Sequence, residues 1–214
     1  VQEYVDQVLF ENKLNTLSDA EMKFKAEDQL YVQDEVERSR LVLKNNNGLT
    51  YLSDAFLKMY PDATFFSLVR NPISLYESHK RRGLAKSVGQ FSRFYNTLCQ
   101  RMLDDAERLP DYHILKFETM VGNPKEVIED LYQKANLDLS MVPRFRFKAK
   151  RFVHSDGGHR TKFEMSKHYW FDIDNLHEIL EPKVNDFQNQ LLSESEIEEV
   201  MKQTGDIAKK LGYQ

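Results

Sequence analysis

At 214 residues, with 41% hydrophobic and 30% charged residues, the chain can bury a core and reads as one globular unit rather than a disordered one. A formal net charge of -4 gives no overall reason to expect nucleic acid, and a single cysteine, Cys99, excludes an internal disulfide framework. No apolar run approaches the roughly 18 residues of a membrane span, and VQEYVDQVLF at the start has neither a basic leader nor a cleavage site, so a reducing, cytoplasmic setting is expected.

In chain order, residues 1–38 read as a peripheral acidic helical segment, with Ser18 and Glu21 spaced as a capping box and Leu17 able to staple against Met22. LVLK at 41–44 reads as a first strand before an NNNG turn. Leu49, Leu52, Phe56 and Met59 then recur at helical spacing until Pro61 breaks the pattern. TFFSLV at 64–69 is the second strand, and its helix starts at Pro72 with Asn71 as cap. A helix is predicted over 88–108, its apolar face made of Phe91, Phe94, Tyr95, Leu98, Met102 and Ala106, with Cys99 as a packing residue beside it. YHILKF at 112–117 is the third strand, followed by a helix capped by Asn123, with Pro124 at its first position and Glu126 closing a box. The chain ends in SESEIEEVMKQTGDIAKKLGY, a helix bounded by a Ser193–Glu196 box and by Gly212.

Strands alternating with helices imply βα crossovers and a three-layer α/β fold, a parallel sheet flanked by helices. The expected division is a helical segment over 1–40, a βα core over 41–140, and a basic loop with C-terminal helices over 141–214. In such sheets ligands collect beyond the carboxyl ends of the strands, where Arg70 falls. There it meets the N-terminus of the next helix, whose free N–H groups and positive dipole favour an anion. Ser74 and Ser78 share a face of that helix, with Arg81 one turn on. A hydroxyl beside a forked guanidinium suits a phosphate, although Arg70 paired with a structural acid would give the same spacing.

The stretch from LVLK to SHKRRG resembles the nucleotide-binding core of sulfotransferases that use 3'-phosphoadenosine 5'-phosphosulfate. The arginine of an "RNP" element and a serine eight residues later bind the 3'-phosphate in that family, and Arg70 and Ser78 match both. LKFETMVGNP is similar to the family's "YED…DP" element, and KLGY to its ending. The resemblance implies that Lys44 approaches the transferred sulfuryl group as the catalytic cation, and that Phe117 lies near adenine unless it is core. It implies no metal, and a small-molecule or glycan acceptor bearing a hydroxyl or amine.

Two departures qualify the resemblance. No phosphate-cradling glycine loop is present: GLAKS at 83–87 has Ala85 and Lys80 where glycines are required. The expectation is a sulfotransferase lacking its N-terminal portion, with neighbouring strands left unpaired or the sheet rebuilt. Asn45, Asn46 and Asn47 stand where some members place a histidine base, and amides cannot serve as one.

RFRFKAKRF at 144–152 alternates cations with phenylalanines, the pattern of a half-buried strand with one cationic face. It leads into VHSDGGHRTKF, which resembles the family's late basic, glycine-containing segment and makes Arg160 a candidate second phosphate ligand. An alternative class, a non-catalytic adenosine bisphosphate- or nucleic-acid-binding domain, would use the same cations on phosphates, but its stacking phenylalanines are expected to face inward. HYWFD at 168–172 reads as a packing cluster on the C-terminal helices, and the six histidines show no metal spacing. No Mg²⁺-placing motif supports a P-loop kinase.

Overall fold

The computed structural model describes residues 2–18, 40–44, 47–148, 163–164, 167–180 and 191–213. Its elements are α1 (Gln2–Ser18), a 3-10 turn (Asn47–Leu52), α2 (Ser53–Met59), β1 (Phe65–Val69), α3 (Pro72–Arg81) and α4 (Val88–Arg108). There follow β2 (Tyr112–Lys116), α5 (Phe117–Gly122), α6 (Pro124–Lys134), β3 (Phe145–Lys148), β4 (His168–Phe171), a 3-10 helix (Ile173–Glu178) and α7 (Glu194–Lys210).

β1 and β2 pair in parallel, Phe65 opposite Tyr112 through Val69 opposite Lys116, with α3 and α4 forming the crossover between them. The expected first strand is absent: residues 41–44 carry no ladder, and Leu41, Val42 and Leu43 are exposed. A cleft of about 750 Å³ separates this segment from β1. A strand needs a partner edge within roughly 5 Å, which the cleft denies it. Among the described residues the parallel sheet therefore has two strands, and the outer edge of β1 faces the cleft.

The main core lies between this sheet, α4 and α7. Val69, Tyr76, Phe91, Tyr95, Met102, Tyr112, Val200 and Leu211 are buried in one cluster. Phe91 is its centre: it is 2% exposed and its ring lies 5.2 Å from Tyr76 and 5.8 Å from Tyr95. Phe94, expected on the same face, is instead 39% exposed and meets His79 at the rim. Cys99 is buried as expected, and burial lifts its thiol to about 11.

The caps follow the sequence unevenly. Asn71 accepts from the Ile73 and Ser74 amides, Ser87 caps α4, and Ser193 with Glu196 forms the full box at α7. Asn123, in contrast, makes no side-chain cap bond, so the box expected with Glu126 does not form. Ser18 is the last residue of α1, and the capping box expected with Glu21 lies outside the described residues.

The Glu196 carboxylate also bonds Lys80 of α3 at 2.6 Å, tying two helices together. That bond, then the Ser193 amide, holds its pKa down to about 2 against an ordinary 4.5. A carboxyl more acidic in the folded than in the unfolded state stabilises above its ordinary pKa and loses that contribution as pH falls toward the folded value. Glu196→Gln is thus expected to remove about 1 kcal/mol at neutral pH and to flatten the acid limb between pH 4.5 and 2, measured by urea unfolding across pH.

HYWFD is not part of a helix. Residues 168–171 form β4, antiparallel to β3, with Arg146 opposite Trp170 and Phe147 opposite Tyr169. The alternation in 144–147 sends Phe145 and Phe147 inward onto Phe171, Leu176, Ile179 and Ile128, a second core separate from the first. The helix-like reading failed because four residues are too few to show a period.

Candidate anion site at the strand ends

Arg70 follows the last residue of β1, and β2 ends beside it at Lys116. Phe117 is not the end of the strand, as expected, but the first residue of α5. The turn into that helix presents its ring under the Arg70 guanidinium, 4.4 Å from Cζ to ring centroid, a cation–π stack that orients the fork. Burial pulls the Arg70 pKa down, while Glu118 and Glu77 act against it.

The N-terminus of α3 differs from expectation. Its first amides are not open: Ile73 and Ser74 donate to the Asn71 side chain, and the Asn71 amide donates to Glu118 Oε1 at 2.9 Å. A capping asparagine and a carboxylate from the start of α5 have taken the donors that would have met an anion. An anion at this end would therefore have to be met by side chains.

Ser78 lies half-buried on α3, while Ser74 is buried at 3% exposure. Arg81 donates to Glu77 at 2.7 Å, and Glu118 and Glu77 also act on the Arg70 charge, so acids lie beside both arginines. Glu77 is 1% exposed; burial raises its pKa and Arg81 opposes the rise. Sequence inspection missed both carboxylates, although Glu77 sits four residues before Arg81, the spacing of a helical ion pair. Arg70 and Arg81 balance Glu77 and Glu118, so these four side chains are formally neutral before any anion binds.

The C-terminal tail closes the site from behind. Gly212, at φ +77°, ends α7, and its carbonyl accepts from Lys116 Nζ at 2.8 Å. Tyr213 then donates to Glu118 Oε2 at 2.8 Å, its ring 4.9 Å from Lys116 Nζ. Tyr95 supports the strand end by donating to the Arg70 carbonyl at 3.2 Å.

Lys44 does not join this cluster. It is exposed on the wall of the cleft along β1, with Ser67 and Leu68, whereas Arg70 lies outside that lining. Arg160 falls outside the described residues. Arg144, just before β3, and Arg146 on it lie 5.8 and 5.7 Å from the ring of Trp170 on β4. The inward packing of Phe145 and Phe147 leaves them no base to stack on. No described helix is long and apolar enough to cross a membrane.

A family model for sulfotransferases matches residues 3–141. No curated protein matches the chain. Among solved structures, one described as a sulfotransferase domain from the curacin biosynthetic pathway is similar at a TM-score of 0.51 and 19% identity, over 85% of this chain. The match takes in 65% of that domain's length, and at this identity it speaks for the fold alone. With the family match running through β1, α3 and β2, the chain belongs to the sulfotransferase family.

Proposed function

We propose that this chain provides the 3'-phosphate side of a site for 3'-phosphoadenosine 5'-phosphosulfate, and that the reaction served is sulfuryl transfer to a hydroxyl or amine of a small-molecule or glycan acceptor. The observation that carries the reading is the Arg70 guanidinium, stacked on Phe117 at the end of β1 beside the helix that bears Ser78. A forked donor held by an aromatic face can meet two phosphate oxygens, and a hydroxyl on α3 can meet a third. Phe117 acts first as the platform for Arg70; adenine contact is then left to the ring surface that the guanidinium does not cover.

In the transfer itself the acceptor oxygen or nitrogen attacks sulfur and gives up its proton to solvent, the bond from sulfur to the 5'-phosphate oxygen breaks, and adenosine 3',5'-bisphosphate leaves. Lys44 would stabilise the charge developing on the leaving phosphate. Its place on the cleft wall requires the donor to extend from Arg70 along β1 toward the cleft. No glycine loop for the 5' side occurs in the 214 residues, so this chain alone is expected to bind the bisphosphate without appreciable transfer.

Calorimetric titration with adenosine 3',5'-bisphosphate and with adenosine 5'-monophosphate tests the reading. A site built for the 3'-phosphate prefers the bisphosphate by about tenfold or more. Equal affinities for the two nucleotides overturn it.

A further inference from the structure

The face of α3 that bears Ser74 and Ser78 continues one turn on into Arg81. That side chain folds back rather than outward. Its Nη2 donates to Glu77 Oε2 at 2.7 Å, an i,i+4 bond that draws the guanidinium along the helix toward its N-terminus, where β1 ends and Arg70 follows. The Glu77 side chain is 1% exposed, so the anchor is a buried carboxylate rather than a mobile surface one. Arg81 keeps 27% side-chain exposure, and the bond to Glu77 engages one edge of a fork with several N–H donors. Both charges reach Arg70: that of Glu77 favours the Arg70 cation and that of Arg81 opposes it. Two guanidiniums near enough to oppose each other therefore lie at one end of the sheet, and Ser78 is next in sequence to the carboxylate that holds one of them.

We propose that Arg81 is a second guanidinium ligand for the 3'-phosphate, acting beside Ser78. A phosphate monoester carries about two negative charges at neutral pH, more than one guanidinium offsets. An anion lying between the two arginines also relieves their mutual repulsion, so contact with both is favoured over contact with either alone. Because Glu77 orders the Arg81 side chain before the ligand arrives, less entropy is lost on binding. The inference rests on the reading of Arg70 and Ser78 as the 3'-phosphate site given above.

Removing the whole ion pair, with Arg81→Ala and Glu77→Gln in one full-length chain, tests the contact. The two changes together leave the net charge as it was and strand no buried carboxylate, so a loss of affinity reports a lost contact rather than a changed field. By calorimetry the double variant is expected to bind adenosine 3',5'-bisphosphate about tenfold more weakly than the parent, and adenosine 5'-monophosphate within about twofold of it. Glu77→Gln alone keeps the guanidinium and should bind the bisphosphate within about threefold of the parent, or more tightly. Arg81→Lys keeps the ion pair and loses the fork, and should weaken bisphosphate binding severalfold. Parent-like bisphosphate affinity in the double variant, or in Arg81→Lys should the double variant not fold, overturns the proposal. So does a loss in Glu77→Gln as large as that in the double variant, or an equal loss for both nucleotides, since either would make the pair a brace of α3. Equal affinity of the parent for the two nucleotides would instead remove the 3'-phosphate site itself, and the inference with it.

Discussion

Arg70→Ala is expected to weaken adenosine 3',5'-bisphosphate binding by about a hundredfold, or ~2.7 kcal/mol. The size follows from what one guanidinium supplies: two charge-assisted bonds to phosphate oxygens from a fork already oriented by Phe117, so that little side-chain entropy is lost on binding. Arg70→Lys keeps the charge and loses the fork, and should recover only part of the affinity. Adenosine 5'-monophosphate binding should hardly respond to either change, since the lost contact is to the 3' group. Calorimetry on the folded variants reads all three, with circular dichroism showing that the strand end is intact. Parent-like affinity in Arg70→Ala would place the phosphate elsewhere.

Phe91→Ala should produce the largest stability loss, about 3–5 kcal/mol, which for a chain of this length lowers the thermal midpoint by roughly 10 °C. Phe91 is 2% exposed between Tyr76 of α3 and Tyr95 of α4, so truncation opens a cavity where the two crossover helices meet. Neighbouring rings on rigid helices cannot collapse into it without moving α3, which bears Ser78. Phe94→Ala, one turn along and 39% exposed, should cost less than about 1 kcal/mol. Comparable losses from the two would mean that α4 does not present the face described.

The parallel pair and its crossover were legible in the sequence because three independent signals agreed. An apolar run, an Asn-Pro helix start and a long 3.6-period face each pointed to the same βα unit. The end of α7 was legible for a similar reason, its box and its glycine marking both boundaries. LVLK misled because three branched apolar residues before a turn look alike whether or not a partner edge exists, and pairing is a tertiary property. The β3–β4 ribbon was half visible: RFRFK showed its alternation, while HYWF has aromatics at every position and no period to read. Within the candidate site, Arg70 and Ser78 stood out by their places at the strand end and on the following helix, and Phe117 only through the family resemblance. Glu118 and Tyr213 could not be linked, since they are 95 residues apart and only the fold brings them to 2.8 Å.

That separation also sets a clock. At about 5–20 residues per second, the ribosome delivers Tyr213 roughly 5–20 s after Glu118, and α7 arrives only shortly before it. Through that interval β1, α3, α4 and β2 have already been made, with the surface that Val200, Thr204 and Ala208 will cover still bare. The nascent chain therefore has ample time to form its crossover unit locally, but the strand-end carboxylate must wait for the tail. Maturation of the anion site is accordingly a late event, timed by translation of the last helix rather than by folding of the sheet.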